Sequence, residues 1–183
     1  TALAEDDVRL AELRALPKAV QATLDMSQDV LGKAQRYRYM SGCAVIGRGL
    51  NYATALELAL KLKELTYVGA TPYSSADFMH GPIAVVDEGY PVVLTAPSGQ
   101  ALPDILQLAE QLRKRQAELI VISDDARLCE GAQTAFRLPA LVQEWLSPLI
   151  AIVPGQLLAC HLAVTKGLDP ERPRGLRKVT QTR

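Results

Sequence analysis

A short apolar run, a glycine turn and a long helix-forming segment follow one another between Cys43 and Leu65, and this unit constrains the fold more than any other stretch. Cys43, Ala44, Val45 and Ile46 form the run, closed by Gly47. A run of that length bounded by glycine reads as a strand buried on both faces. Gly47-Arg48-Gly49 permits a tight turn, because glycine takes positive φ without steric cost. From Tyr52 to Leu65 the alanine, leucine, lysine and glutamate content is that of a strong helix former. Strand, turn and helix make the first half of a βαβ unit, and in sheets of such units ligands sit beyond the carboxyl ends of the strands. Arg48, Gly49 and Asn51 are therefore candidate substrate-binding residues.

The helix carries two stripes. Leu58, Leu62 and Leu65 share one face, widened by Ala55, Leu56 and Ala59, while Glu57, Lys61 and Glu64 repeat at the same spacing. Spacing leaves two readings open. In one, the charges form a solvated stripe in which the Glu57–Lys61 pair contributes about 0.2–0.5 kcal/mol. In the other, Lys61 and Glu64 stand at the ligand edge of the sheet, where a lysine holds a carbonyl or phosphate and a glutamate moves a proton.

The remaining chain supplies the partners of this unit. Val68–Tyr73, Tyr90–Ala96 and Leu119–Ser123 read as strands, and Thr134–Leu138 as a weaker edge. Ser74 or Ser75 is placed to cap the turn that follows. Leu102–Gln116 reads as a helix with Ile105, Leu108, Ala109 and Leu112 on one face, and Val142–Gly167 as a long apolar helical region interrupted at Pro148 and Pro154. Strands alternating with helices of this size predict an α/β fold, a three-layer doubly wound parallel sheet flanked by helices. Residues 1–38 read as a helical connecting arm of two helices separated at Pro17, residues 39–167 as the domain proper, and residues 168–183 as a charged tail or lid.

Composition narrows the function classes. The 183 residues amount to one domain, and 20 Lys+Arg balance 20 Asp+Glu, so no global field points to nucleic acid or an anionic membrane. The segment Thr1–Asp7 is acidic and lacks the basic and apolar regions of a signal peptide. Leu146–Cys160 is broken by Ser147, Pro148, Pro154, Gly155 and Gln156, too polar to span a bilayer. Three cysteines without paired spacing argue for free thiols in a reducing cytoplasm, and no ligand spacing suggests a metal or cofactor. The chain starts at Thr1 without an initiator methionine, as a fragment or a processed chain would.

His80 stands in the phrase His80-Gly81-Pro82; histidine is the side-chain type whose ordinary range suits proton shuttling near neutral pH, although a loop histidine also fills purely structural places. The phrases GRGLNY, ALELALKLKELTY and MHGPIAVVDEGYPVV, with the ending DPERPRGLRKVTQTR, add what spacing does not. They resemble the second sugar isomerase (SIS) domain of the glucosamine-6-phosphate synthase and SIS-type glucosamine-6-phosphate deaminase family, collinearly from about Leu13 to the C-terminus. The resemblance implies a flavodoxin-like SIS fold and an amino-hexose 6-phosphate as substrate. It implies that Glu64 moves a proton between C1 and C2, that Lys61 holds the sugar or the glutamate, and that Lys178 meets the sugar carbonyl as an amine. It implies that His80 opens the ring in the site of a neighbouring subunit, hence a homodimer, and that an SIS domain lies upstream.

Two positions depart from the synthase pattern, Asp77 in place of a glutamate and Met79 in place of a lysine, and the family's serine- and threonine-rich phosphate loop of the first SIS domain has no counterpart here. The expected function is the C-terminal half of a two-SIS-domain isomerase or deaminase interconverting fructose 6-phosphate and glucosamine 6-phosphate. The alternative is a non-catalytic sugar-phosphate sensing or dimerisation module.

Overall fold

The computed structural model describes residues 7–139 and 142–175. Five strands, β1 (Gly42–Gly47), β2 (Gly69–Ser74), β3 (Pro91–Thr95), β4 (Glu118–Ser123) and β5 (Thr134–Arg137), form one parallel sheet in the order β2-β1-β3-β4-β5. Cys43 faces Ala70, Val45 faces Val93 and Ile120 faces Thr134 in register. The three central strands are buried along almost their whole length, which is why they read as continuous apolar runs rather than alternating ones. Successive side chains still part to opposite faces.

Cys43, Val45, Val93, Ile120 and Ile122 meet one helical layer, formed by α1 (Asp7–Leu24), α2 (Ser27–Ala34), α3 (Asn51–Thr66) and α7 (Ser147–Thr165). Ala44, Ile46, Val92, Leu94, Leu119 and Val121 meet the other, where α4 (Ser75–Met79) and α5 (Leu102–Lys114) pack, with α6 (Ala126–Glu130) contributing Leu128. The result is the three-layer doubly wound α/β architecture expected from the sequence.

The helices depart from expectation at the prolines. α1 runs through Pro17, which sits on the exposed side, and the break falls instead at Asp25–Met26. Leu16, Ala19, Val20 and Thr23 form a continuous stripe against the core, and packing of that stripe outweighs the single lost donor of the proline. Thr23 Oγ1 donates to the Ala19 carbonyl at 2.9 Å just before the chain turns. Likewise α7 is unbroken, with Pro148 in its first turn, where no donor is needed, and Pro154 inside it. The expectation that this region is too polar to span a bilayer is corrected: Glu144–Thr165 is long and apolar enough to cross one by composition, because the prolines do not break the helix, and ten residues of α7 are buried in this core. It lies close to α3: an ideal Cβ on Gly155 would stand 3.0 Å from Leu58 Cδ1.

The connecting segment is part of the same core. Val30, Ala34, Tyr37 and Met40 are fully buried, and Arg36 and Tyr37 bond the Glu118 carboxylate at the start of β4, with Arg36 Nε donating at 2.7 Å and the Tyr37 hydroxyl at 3.1 Å. Leu56, expected on the packing face of α3, is 45% exposed, because two residues of helix turn it about 200° from Leu58. Ser74 takes the cap position of α4 with extended backbone, but its hydroxyl makes no cap hydrogen bond.

Candidate functional site

The loop that leaves β1 stands where the sheet changes winding direction: α3, which follows β1, and α5, which follows β3, cover opposite faces. Loops that diverge in this way open a crevice at the carboxyl edge. Here it has a volume of about 650 Å³ and is lined by Arg48, Gly49, Gln100, Asp104, Glu144 and Trp145 among others. Arg48 Nε lies 3.4 Å from Asp104 Oδ2. Asn51 turns inward: it is 7% exposed, its amide donates to Ser147 Oγ at 2.8 Å and its carbonyl accepts from Thr54 Oγ1 at 3.1 Å. Its side chain is committed to tying the start of α3 to the start of α7, so of the three loop candidates Arg48 and Gly49 are the ones that line the crevice.

His80 belongs to the same edge. β2 delivers the chain there, and the buried Phe78, whose ring centre is 5.1 Å from that of Tyr73, pins α4 so that His80 is left exposed at its end. Gly81 has φ 151° and ψ −56°, a conformation open in practice to glycine alone, and it turns the chain into the 3₁₀ segment Pro82–Val85. His80, Arg48, Asp104, Ser75, Met79 and Gln107 line a depression of about 240 Å³. Thus Arg48 fronts both hollows.

Lys61 and Glu64 are elsewhere. Lys61 Nζ donates to Glu64 Oε2 at 2.7 Å and lies 3.8 Å from Glu57 Oε1, with both members of the shorter pair part-buried. The Glu64 hydrogen bond, with the Glu57 charge behind it, holds the Lys61 ammonium above its ordinary range. This pair is on the last turns of α3, thirteen residues beyond Asn51, which is about 20 Å along the helix axis. The expectation that Lys61 and Glu64 stand at the ligand edge of the sheet is therefore corrected: because β1 is followed by an antiparallel return helix, the end of α3 lies at the amino edge. Within one chain Glu64 and His80 occupy opposite edges.

A further residue pair joins the Glu64 end. Tyr67, three residues past Glu64, caps α3 in the left-handed conformation at φ 56°. Its hydroxyl accepts the Arg174 backbone N–H at 2.8 Å, and the Arg174 guanidinium carbon stands 3.8 Å from the ring centre. These contacts, the backbone hydrogen bond foremost, lower the Tyr67 pKa by favouring the phenolate. The pairing spans 107 positions and has no local sequence signal. Lys178, the fourth predicted catalytic residue, lies outside the described residues.

Comparison with known proteins agrees with this architecture. The SIS domain family model matches residues 43–166. Glutamine–fructose-6-phosphate aminotransferase [isomerizing] of Pyrococcus horikoshii is 42% identical over 163 residues, covering 89% of this chain and 27% of that protein, so the chain spans about a quarter of the relative's length. Among solved structures, the C-terminal domain of glucosamine-fructose-6-phosphate aminotransferase from Francisella tularensis superposes with a TM-score of 0.80 at 30% identity, over 87% of this chain and 45% of that one. Glucosamine-6-phosphate deaminase of Thermotoga maritima shares the fold, with a TM-score of 0.68 at 24% identity over 89% of this chain and 47% of that one. A family-model match across residues 43–166, more than half of the chain, on a sheet of this order settles the family: the chain belongs to the SIS domain family.

Proposed function

We propose that the chain is the phosphosugar-isomerising half of an amino-hexose 6-phosphate enzyme that interconverts fructose 6-phosphate and glucosamine 6-phosphate. The observation that carries the reading is the part-buried Lys61–Glu64 pair at 2.7 Å with the Arg174–Tyr67 contact beside it. A carboxylate hydrogen-bonded to an ammonium is held in one orientation, as a base that moves a proton between C1 and C2 must be. The Arg174 contact brings the chain that leads to Lys178 toward the same helix end, where an amine would meet the sugar carbonyl. The names of the relatives supply the substrate class, a hexose 6-phosphate and its amino counterpart.

His80 enters this scheme only from a second copy. One chain holds His80 and Glu64 at opposite sheet edges, and a ring-opening histidine has to sit within hydrogen-bond reach of the sugar oxygen. A two-fold homodimer meets that need, with each site taking Glu64 and Lys61 from one copy and His80 from the other. Arg48, which shares the His80 depression, would arrive with it, a cation beside an anionic substrate.

Mixed variants test the scheme in the protein that joins this chain to the upstream SIS domain proposed for it. Glu64→Gln and His80→Ala should each be inactive alone. Unfolded together and refolded as an equal mixture, they should recover about a quarter of wild-type activity, because half of the dimers then carry one intact site. Recovery of nothing, with dimers formed and each variant folded, would overturn the shared site. Full activity of Glu64→Gln alone would instead show that Glu64 is not the base.

A further inference from the structure

The second of the chain's two histidines takes no part in the scheme above. His161 lies on α7, and its Nε2 stands 3.0 Å from the hydroxyl oxygen of Ser27, the first residue of α2, across 134 positions of sequence. The Ser27 hydroxyl is free for this contact because it does not cap its own helix: Met26 holds the cap position, with no side-chain hydrogen bond. With the ring proton on Nδ1, the hydroxyl donates to Nε2. That is the hydrogen bond by which a histidine takes the proton of an attacking serine. Both residues are part-buried, so the pair is held in place and still meets solvent.

Apolar side chains flank the pair. Leu157 and Val164 stand four residues before His161 and three after it, on the same face of α7, and Val164 is 55% exposed. Leu24, in the turn that leads into α2, is 42% exposed. A short acyl chain therefore has apolar surface to lie on. Charge selects among acyl donors, because Asp25 and Asp29 stand two positions to either side of Ser27 and oppose an anionic one.

We propose that Ser27 and His161 form a nucleophile–base pair that accepts an acyl group from an uncharged, activated short-chain ester. Ser27 Oγ bonds to the ester carbonyl carbon while its proton passes to His161 Nε2. The bond from that carbon to the leaving oxygen breaks, and His161 hands the proton to that oxygen. The chain ends as a Ser27 ester and the donor as an alcohol, with no change of oxidation state. Glu64 and His80 have no part in this step.

p-Nitrophenyl butyrate, presented to the full chain, tests it. Peptide mass spectrometry should find the butyryl group on Ser27, formed at a rate about 10² or more above that of the exposed Ser98, the usual worth of a positioned general base. His161→Gln keeps a hydrogen-bonding side chain between α7 and α2 but offers no basic nitrogen, so the Ser27 rate should fall to that of Ser98. His161→Asn, with the same expectation, serves if the glutamine variant does not fold. Ser27 acylation no faster than that of Ser98 in the wild type would overturn the proposal. Equal Ser27 rates in the wild type and a folded variant would overturn it too, and would leave the contact as a tie between two helices.

Discussion

The Arg174 guanidinium stacks on the Tyr67 ring at 3.8 Å while its backbone N–H donates to the same residue's hydroxyl at 2.8 Å. One tyrosine therefore holds the outgoing chain by two independent contacts. Arg174→Ala keeps the backbone donor and removes the cation. Hydrogen exchange of the residue-174 amide should rise by roughly two- to fivefold, the factor matching an exposed cation–π contact. Tyr67 should also ionise closer to its ordinary pKa than in wild type, read from tyrosinate absorbance against pH, because side-chain contacts with Arg174 contribute to its lowered value. An unchanged Tyr67 titration would show that the backbone bond alone sets it.

Glu64→Gln preserves size and hydrogen bonding with Lys61 but cannot accept the sugar's proton. In the assembled enzyme proposed above, exchange of the substrate C2 hydrogen with solvent should fall by roughly 10² or more, while sugar binding changes little. Exchange as fast as wild type would return Glu57, Lys61 and Glu64 to the solvated stripe that spacing alone also allows.

At the end of β1 the backbone has no spare room. An ideal Cβ on Gly47 would lie 2.1 Å from the Asn51 carbonyl oxygen and 2.9 Å from Thr95 Oγ1. Gly47→Ala must push the first turn of α3 away from the sheet, at a cost of at least about 1–3 kcal/mol. A lowered urea midpoint with unchanged slope checks this. An unaltered midpoint would mean that α3 can slide along the sheet, contrary to the tight α3–α7 packing at Gly155.

Burial pushes the Cys43 thiol from 9.0 up to about 12 and lifts the Tyr37 hydroxyl above its ordinary 10.0, because either anion would be stranded in the core. The unfolded chain releases these protons at their ordinary values. The stability they confer is thus complete below about pH 9 and declines as the pH rises toward the folded values. Urea unfolding between about pH 8 and pH 11 should show that decline, and Cys43→Ala should make it shallower. An identical slope in the variant would assign the alkaline loss to other groups.

How much of this was legible in advance differs by kind of feature. The apolar runs at β1, β3 and β4 predicted buried parallel strands because each residue's neighbours two positions away share its face, and that periodicity is local. The phrases around Lys61, Glu64 and His80 marked a family resemblance that the SIS match bears out. Proline positions misled, at Pro17 and Pro154, because the lost hydrogen bond is a local cost while the stripe that repays it packs against distant helices.

What the sequence determined by itself was therefore the α/β class, the identity of the strands, the SIS family and the short list of chemically competent side chains, all properties carried by spacing along the chain. What only the tertiary structure decided was where those side chains stand relative to one another. The direction of α3 separates Glu64 from His80, Arg174 finds Tyr67 across 107 positions, and Glu144 reaches the Gln100 amide across 44. Such relations arise when a parallel sheet brings remote segments to one edge or the other, and no window of neighbouring residues contains the geometry that does so.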